Sequence, residues 1–257
     1  LDEAVRSGRI KKGDKVAILL MNCLEWLPVY FGILKAGAIA VPLNYRYTAG
    51  EIKNWLERAE ADALVFGFEF IGRVEEICDR IPKVSQIFYV GGGCPTFAES
   101  YDSLVNYCTS KKPDVALTEE DNSAIYFSSG TTGFPKAILH DHASLIHACR
   151  VEQAHHGQGR DDVFLCIPPL YHTGAKMHWF GSFLVGGKAV ILKGIKPEWI
   201  MKAVSEENKK RDQENTVFDT QLDEVVVTAT HTPKALKDVP VVTRLIPLAD
   251  LKKADAR

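Results

Sequence analysis

The segment KVAILLMNCLEWLPVYFGILKAGAIAVPL, residues 15–43, decides the fold that the sequence predicts. It begins with the apolar run KVAILLM (15–21), continues with LEWLPVYFGILKAGA (24–38) and ends with IAVPL (39–43). Short apolar runs predict buried strands, whereas the longer middle run has the length and the apolar spacing of a helix. The segment therefore predicts a strand–helix–strand unit.

The same alternation continues from residue 14 to about residue 206. Thr48-Ala49-Gly50-Glu51 is a capping-box signature, with a hydroxyl at the cap and a carboxylate three residues later, and it predicts a helix start. Further strands are predicted at 63–66, 85–90, 123–127, 163–167 and 188–192, and further helices at 69–80, 141–152, 177–185 and 197–208. This rhythm predicts an α/β domain with a mostly parallel sheet and flanking helices.

Composition excludes several classes of function. The 257 residues are 46% hydrophobic and 25% charged, with a formal net charge of -2, as in an ordinary globular protein of one large or two small domains. The chain has no basic excess, so we expect no nucleic-acid partner. It also has no stretch near the roughly 20 apolar residues of a membrane helix and no signal-peptide pattern.

The cysteine pattern indicates a reducing compartment. The six cysteines are widely spread, with neither a C-x-x-C pair nor a zinc-like spacing, at positions Cys23, Cys78, Cys94, Cys108, Cys149 and Cys166. We interpret them as buried, reduced thiols rather than a disulfide framework. The sequence therefore predicts a cytoplasmic protein.

The stretch YFSSGTTGFPK (126–136) predicts an anion-binding loop between a strand and a helix. Gly130 and Gly133 allow the backbone to approach a ligand closely, and Lys136 supplies a mobile positive charge. Hydroxyl groups are available from Ser128, Ser129, Thr131 and Thr132. The pattern is not a Walker A loop, because Gly-Lys-Ser/Thr is absent. The alternative interpretation is a flexible surface turn.

These residues carry a resemblance to a known family. YFSSGTTGFPKAILHDH (126–142) resembles the phosphate-loop motif of the adenylate-forming superfamily, which includes acyl-CoA synthetases. The likeness extends over residues 1 to about 206, and PPLYHTGAKMHWFGSFLVGGKAVIL (168–192) resembles the next core motif. The resemblance implies that carboxylate and ATP give acyl-adenylate and pyrophosphate, and that coenzyme A then displaces AMP. It further implies ATP, Mg²⁺ and coenzyme A as cofactors and a small-molecule carboxylate as substrate.

The resemblance also assigns roles to individual residues. It places the β- and γ-phosphates of ATP on Ser128, Ser129, Gly130, Thr131, Thr132, Gly133 and Lys136. Lys136 takes the catalytic role of offsetting charge on the departing pyrophosphate. His142 falls where the family often has a histidine, and Tyr171-His172 falls near the family's acyl-substrate pocket. Ala137 departs from the family, which usually has glycine there, and the added Cβ is expected to stiffen the exit of the loop.

Other family motifs do not occur in this sequence. We find no aromatic-Gly-x-Thr-Glu segment for adenine and metal and no Thr-Gly-Asp for ribose. We therefore expect the chain to be an N-terminal fragment of a ligase with little or no synthetase activity alone.

The remaining predictions for histidine and aromatic side chains concern structure rather than ligand binding. His140 and His142 fall on different helical faces, so we interpret His140, His142 and His147 as surface histidines and predict no metal ligands. His155-His156 is predicted to be an exposed helix end. The aromatic residues Trp26, Tyr30, Phe31 and Trp179 are predicted to pack in the core rather than to contact a ligand.

The C-terminal part of the sequence has a different character. Residues 207–220 are polar and aperiodic, and we interpret them as a linker or chimeric junction between a partial AMP-binding domain (1–206) and a tail (221–257). Asp223–Thr230 resembles the TonB box of outer-membrane receptors, and the residues that follow resemble the start of their plug domain. An alternative function is therefore a TonB-binding plug fragment, with the TonB contact at Asp223–Thr230; the alternative interpretation of this segment is an ordinary β-hairpin edge.

Overall fold

The computed structural model describes residues 9–107, 114–128, 136–214, 224–225 and 246–247. The strands are β1 (Lys15–Leu19), β2 (Ile39–Pro42), β3 (Ala63–Gly67), β4 (Gln86–Val90), β5 (Glu99–Ser100), β6 (Asn122–Ser128), β7 (Lys136–Asp141), β8 (Val163–Cys166), β9 (Lys188–Ile191), β10 (Glu224–Val225) and β11 (Ile246–Pro247). The helices are α1 (Trp26–Lys35), α2 (Ala49–Ala59), α3 (Ile71–Glu75), α4 (Tyr101–Tyr107), α5 (His142–His156), α6 (Thr173–Leu184) and α7 (Pro197–Glu214).

Two compact units divide the chain. The first comprises residues 1–148 and 168–176, and the second comprises residues 149–167 and 177–257. In the first unit, the described residues form a seven-stranded sheet in the order β5-β4-β3-β1-β2-β6-β7. All neighbouring strands of this sheet are parallel except β6 and β7, which are antiparallel. The predicted α/β fold with a mostly parallel sheet and flanking helices is confirmed.

The centre of the sheet is apolar because helices cover it. Every residue of β2 and β3 is buried, as is all of β1 after Lys15. Side chains of α2, including Ile52 and Trp55, pack with Val41 and Leu64 in one hydrophobic cluster. Strands buried in this way are typical of parallel sheets with helical connections.

Local sequence signals fix the ends of the first two helices. Gly37, with a φ of 72°, ends α1 in the left-handed conformation, and its N–H donates to the carbonyl of Leu34 at 3.0 Å. The predicted capping box begins α2: the Glu51 N–H donates to Thr48 Oγ1, and the Thr48 N–H donates to Glu51 Oε2 at 2.8 Å. The strand–helix–strand prediction for residues 15–43 is thus confirmed.

The second unit contains a smaller parallel pair. β8 and β9 pair in register from Val163↔Lys188 to Cys166↔Ile191, as predicted for strands in this region. Gly187 makes a close approach here, since a Cβ at this position would lie 3.1 Å from three carbonyl oxygens. Among the described residues, no helix is both long and apolar enough to cross a membrane.

Several predicted boundaries were wrong. The helix predicted at 69–80 is divided into a 3₁₀ turn, the short α3 and a second 3₁₀ turn. β7 was not predicted, because its pairing with β6 depends on a chain reversal rather than on local periodicity. α7 continues to Glu214, so it extends into residues 207–220, which we interpreted as a linker. Its first turn begins at Pro197, a residue well suited to that position.

The tail prediction falls mostly outside the described residues. Of the TonB-like segment Asp223–Thr230, the structure describes Glu224 and Val225, which pair antiparallel with Pro247 and Ile246. The remaining residues of that segment lie outside the described part of the chain.

Candidate functional site

The candidate site is built on the hairpin of β6 and β7 in the first unit. Ser128 ends β6 and is the register partner of Lys136, which begins β7. Residues 129–135 of the predicted phosphate loop connect these two positions. The structure therefore brings the first and last candidate phosphate ligands, Ser128 and Lys136, to neighbouring positions on the sheet.

Ser128, at the end of β6, lies at the carboxyl end of the parallel strands, a common location of ligand sites. β6 runs parallel to β2, and β2 runs parallel to β1, so Ser128 is at the carboxyl end of three parallel strands. In open α/β sheets, ligands bind outside the carboxyl ends of the strands. The other members of the loop set, Ser129, Gly130, Thr131, Thr132 and Gly133, lie outside the described residues.

One face of the hairpin collects polar groups. Directly opposed residues of an antiparallel pair share a face, and so do alternate residues along each strand. The pairs Ser128↔Lys136 and Tyr126↔Ile138 therefore lie on one face, together with His140. On the opposite face, the ring of Phe127 packs against Trp55, with the ring centroids 4.5 Å apart.

Lys176 adds a second cation to the polar face. Its ammonium group lies 4.7 Å from the centroid of the Tyr126 ring, although the residue is only 4% exposed. The Tyr126 hydroxyl is 3.1 Å from the Tyr30 hydroxyl, and the pair is buried. Burial and the positive charge of Lys176 lower the pKa of His140, while Asp141 opposes them. His140 is thus held toward its neutral form on this face.

Asn22 fixes the second predicted motif beside β1. Its side-chain N–H donates to the carbonyl of Pro168 at 3.1 Å, and its Oδ1 accepts from the Leu170 N–H at 2.8 Å. Leu170 is completely buried, so the second of these bonds satisfies a backbone N–H inside the protein, while Pro168 is exposed. Asn22 carries no local sequence signal for this role, because its partners lie 146 and 148 residues further along the chain.

The substrate-pocket candidates Tyr171 and His172 directly follow the segment Pro168–Leu170 that Asn22 holds. The Tyr171 ring packs edge-on against Tyr45, with the ring centroids 5.3 Å apart. Burial raises the pKa of Tyr171, with a smaller contribution from Tyr45. His172 is exposed, and its Nδ1 accepts from the Gly174 N–H at 3.2 Å. Both candidates belong to the same unit as the hairpin.

The match to a protein-family model shows to which family the chain belongs. Residues 4–209 match the model of the family described as AMP-binding enzyme. This match covers more than half of the sequence. The chain belongs to the AMP-binding enzyme family.

Curated members of the family resemble the chain along most of its length. It is 30% identical over 196 residues to acetyl-coenzyme A synthetase of Bacillus subtilis, covering 74% of this chain and 33% of that protein. It is 32% identical over 192 residues to crotonobetaine/carnitine–CoA ligase of Salmonella arizonae, covering 72% of this chain and 37% of that protein. The chain therefore spans about a third of the length of these relatives.

A solved structure agrees with this family membership. The anthranilate CoA ligase AuaEII, crystallised with anthranoyl-AMP, superposes with a TM-score of 0.71 at 26% sequence identity. The superposition covers 76% of this chain and 38% of AuaEII. Both the family match and this structure support the resemblance that the phosphate-loop motif suggested.

The histidines divide into two groups. His140 and His142 are half-buried and His147 is exposed, and the described residues do not bring these three together as a ligand set. The pKa of His142, the first residue of α5, is lowered mainly by burial. The prediction that His155-His156 is an exposed helix end was wrong for His156, which is buried. Its ring contacts Glu152 on the same helix and His178 on α6, a contact that local sequence does not reveal.

The prediction of buried cysteines is confirmed at two positions, whereas Cys23 and Cys78 are half-buried, as is the aromatic residue Phe31. Cys149 and Cys166 are buried, and burial raises the pKa of the Cys166 thiol to about 12, which keeps it protonated. Cys94 is exposed, contrary to the prediction, and Cys108 lies outside the described residues. The aromatic residues Trp26, Tyr30 and Trp179 are buried in the core as predicted.

Proposed function

We propose that the chain is the ATP-binding N-terminal portion of an ATP-dependent acid–thiol ligase. The observation that carries this proposal is that Ser128 and Lys136 are register partners. They flank residues 129–135, a sequence rich in hydroxyl side chains and glycine. The position of Ser128 at the carboxyl end of β6 agrees with the general location of ligand sites in α/β sheets. The family match and the acyl-CoA ligases among the relatives support the same activity.

In the proposed reaction, a carboxylate oxygen attacks the α-phosphorus of ATP. The new acyl–oxygen–phosphorus linkage forms as the bond between the α-phosphorus and its bridging oxygen breaks, and pyrophosphate leaves. A thiolate, that of coenzyme A, then attacks the acyl carbonyl carbon and AMP departs with the electron pair of the broken bond. The first step needs charge stabilisation and in-line positioning more than it needs proton transfer.

The residues of this chain have defined parts in the first step. Lys136 would hold the β- and γ-phosphates and offset the charge on the leaving pyrophosphate, together with Ser128, Ser129, Gly130, Thr131, Thr132 and Gly133. Lys176, above Tyr126 on the same face, favours the binding of an anion there. Mg²⁺ would supply further charge neutralisation on the phosphates when bound. Tyr171 and His172 are proposed to border the carboxylic acid substrate, which we assign only to the broad class of fatty or aromatic acids.

ATP binding by the purified chain tests the proposal. Lys136→Ala should weaken ATP binding by about 10- to 100-fold, because it removes one charge-assisted contact to phosphate. Isothermal titration calorimetry with a non-hydrolysable ATP analogue measures this effect. Lys53→Ala is the matched control, since Lys53 is on α2, where it pairs with Glu57. Equal affinities for the wild type, Lys136→Ala and Lys53→Ala would contradict the proposal.

Turnover is a separate question from binding. The family's adenine- and metal-contacting motif and its ribose-contacting motif do not occur in this sequence, so we expect ATP–pyrophosphate exchange by this chain alone to be at background level. Robust exchange that is lost in Lys136→Ala would overturn this expectation while strengthening the assignment of Lys136. A cytoplasmic location remains a prediction from the cysteine pattern.

The TonB-like tail remains a prediction from sequence. The family match ends at residue 209, before Asp223–Thr230 begins, and therefore does not bear on it. The described strand pair Glu224–Val225 and Ile246–Pro247 is equally compatible with the ordinary β-hairpin interpretation. Binding of a purified TonB C-terminal domain that is lost in Val226→Pro would support the resemblance, whereas no binding would exclude a TonB-binding function.

A further inference from the structure

Three side chains that the proposed ATP site does not use converge in the second unit. Glu152 and His156 are one helical turn apart on α5, and His178 is on α6. Glu152 Oε1 lies 3.0 Å from His156 Nε2 and 3.4 Å from His178 Nε2. One ligand atom from each residue lies within 4.8 Å of the other two. We refer to Glu152, His156 and His178 as the histidine–glutamate cluster.

The surrounding residues hold the two imidazole rings in place. The His178 ring stacks on Phe164, with an interplanar angle of 27° and ring centroids 5.3 Å apart. The His156 ring lies 5.0 Å from the His178 ring. Gln158 donates to the carbonyl of His178 at 3.4 Å and is also bonded to Ser182, which ties the chain after α5 to α6. The rings are therefore oriented before any ligand binds, which lowers the cost of binding.

His156 is buried, and one of its two ring nitrogens contacts the cluster. The residue is 8% exposed, and within the described part of the chain its Nδ1 has no hydrogen-bond partner. Its polar contact is instead made through Nε2, which points at Glu152. Burying an imidazole beside a carboxylate desolvates polar atoms, a cost that apolar packing in the same space would avoid.

The donor set matches a particular class of cation. Two imidazole nitrogens and one carboxylate oxygen are the protein ligands of many zinc sites that keep a fourth position open. At metal–ligand distances of about 2.0–2.1 Å, tetrahedral geometry places neighbouring ligand atoms about 3.4 Å apart. The separations of 3.0 and 3.4 Å in the cluster are close to that value. Mg²⁺ prefers oxygen ligands, so two imidazoles disfavour it.

We propose that the histidine–glutamate cluster binds a divalent transition-metal ion, with Zn²⁺ as the favoured ion, and that the ion joins α5 to α6. Glu152 Oε1 and the Nε2 atoms of His156 and His178 are the ligands, and water or an external group completes the coordination. The ion takes the place of the close contacts that Glu152 Oε1 now makes with the two imidazole nitrogens. This site is independent of the proposed ATP function, which uses none of these residues.

Zinc binding by the whole chain, after treatment with a chelator, tests the proposal. Competition with a chromophoric chelator should reveal one Zn²⁺ site that is weakened by more than about 100-fold in both Glu152→Gln and His178→Asn, since even outer contacts of a metal site contribute about 10- to 100-fold. His155→Ala is the matched control: His155 is an exposed imidazole adjacent to His156 but not in the ligand set. Its Zn²⁺ affinity should equal that of the wild type.

A Co²⁺ titration of the wild type keeps the test decisive if a variant fails to fold. The expected spectrum has the visible d–d bands of a four-coordinate ion without the near-ultraviolet band of a cysteine thiolate ligand, and Zn²⁺ but not Mg²⁺ should abolish it. A thiolate band would place the ion on cysteine and overturn the assignment. The absence of a saturable site in the wild type, or unchanged binding in folded Glu152→Gln and His178→Asn, would also overturn it.

Discussion

The central strands β1–β3 and the edge strand β7 belong to one sheet, yet their side chains have opposite surroundings. Nearly all side chains of β1–β3 are buried, whereas the first four residues of β7 are exposed. The central strands are parallel and covered by helices, while β7 is antiparallel and bonded to β6 alone among the described strands. The centre of the sheet thus forms the buried core, and its edge carries the exposed Lys136, the proposed phosphate ligand.

Substitutions in these two regions should differ most in their effect on stability. Phe66 on β3 is fully buried between Tyr89 and Phe97, so Phe66→Ala should lower the free energy of unfolding by about 3–5 kcal/mol. Leu139 on β7 is 52% exposed, and Leu139→Ala should change the free energy of unfolding by less than about 0.5 kcal/mol. Urea denaturation followed by circular dichroism measures both values.

The pair of variants contains its own control, because both remove an apolar side chain from the same sheet. A loss in Leu139→Ala as large as that in Phe66→Ala would contradict the division between centre and edge. It would mean that the exposed face of β7 is covered in the protein in solution.

A smaller loss of stability is expected for the substitution of Asn22, which follows β1 and holds the segment just before the pocket candidates Tyr171 and His172. Asn22→Ala removes both hydrogen bonds to the Pro168–Leu170 segment and leaves the buried Leu170 N–H without a partner. The expected loss in the free energy of unfolding is about 1–3 kcal/mol. Thermal and urea denaturation provide the measurement.

Asn44→Ala is the matched control for Asn22→Ala. The Asn44 side chain accepts one exposed hydrogen bond, from the Arg46 N–H at 2.9 Å, so its loss should cost about 0.5 kcal/mol or less. Equal losses of unfolding free energy in the two variants would show that the two hydrogen bonds of Asn22 stabilise the protein no more than the surface turn at Asn44 does. The site would then not depend on the buried strands in the way that we infer.

Sequence reasoning succeeded in the buried centre because the signals there are local. Strands β1 to β4 and helices α1 and α2 follow from apolar run length, and α2 also from the Thr48–Glu51 capping box. A short run covered on both faces by its own connecting helices has few alternatives. The parallel arrangement then follows from the alternation of strands and helices.

Sequence reasoning failed where contacts join distant parts of the chain. Nothing near Asn22 indicates that it binds residues 168–170, and nothing near His156 indicates that His178 will bury it. β7 was missed because the short run Lys136–Asp141 becomes a strand only when it pairs with β6. The phosphate-loop motif identified the family correctly, but the contacts of residues 129–135 with ATP remain a prediction.

The smallest expected effect concerns the charge of a single side chain at the edge of the sheet. Burial and Lys176 lower the pKa of His140 from its ordinary value of 6.5, so Lys176→Met should raise this pKa toward 6.5 while burial keeps it below that value. The substitution retains an apolar side chain of similar length above the Tyr126 ring. Nuclear magnetic resonance titration of the histidine Cε1 protons measures the shift, and His142 serves as an internal reference because its neighbouring charges are Asp121, Asp141 and Lys12.

The same pKa predicts how stability depends on pH. A histidine whose pKa is lower in the folded state takes up its proton more readily when unfolded, so stability is lost as the pH falls below about 6.5. This acid-induced loss should be smaller in Lys176→Met, because the folded-state pKa of His140 then lies closer to the unfolded one. An unchanged His140 pKa would mean that the charge of Lys176 does not reach the face that carries Lys136. The edge of the sheet would then offer an anion one cation rather than two.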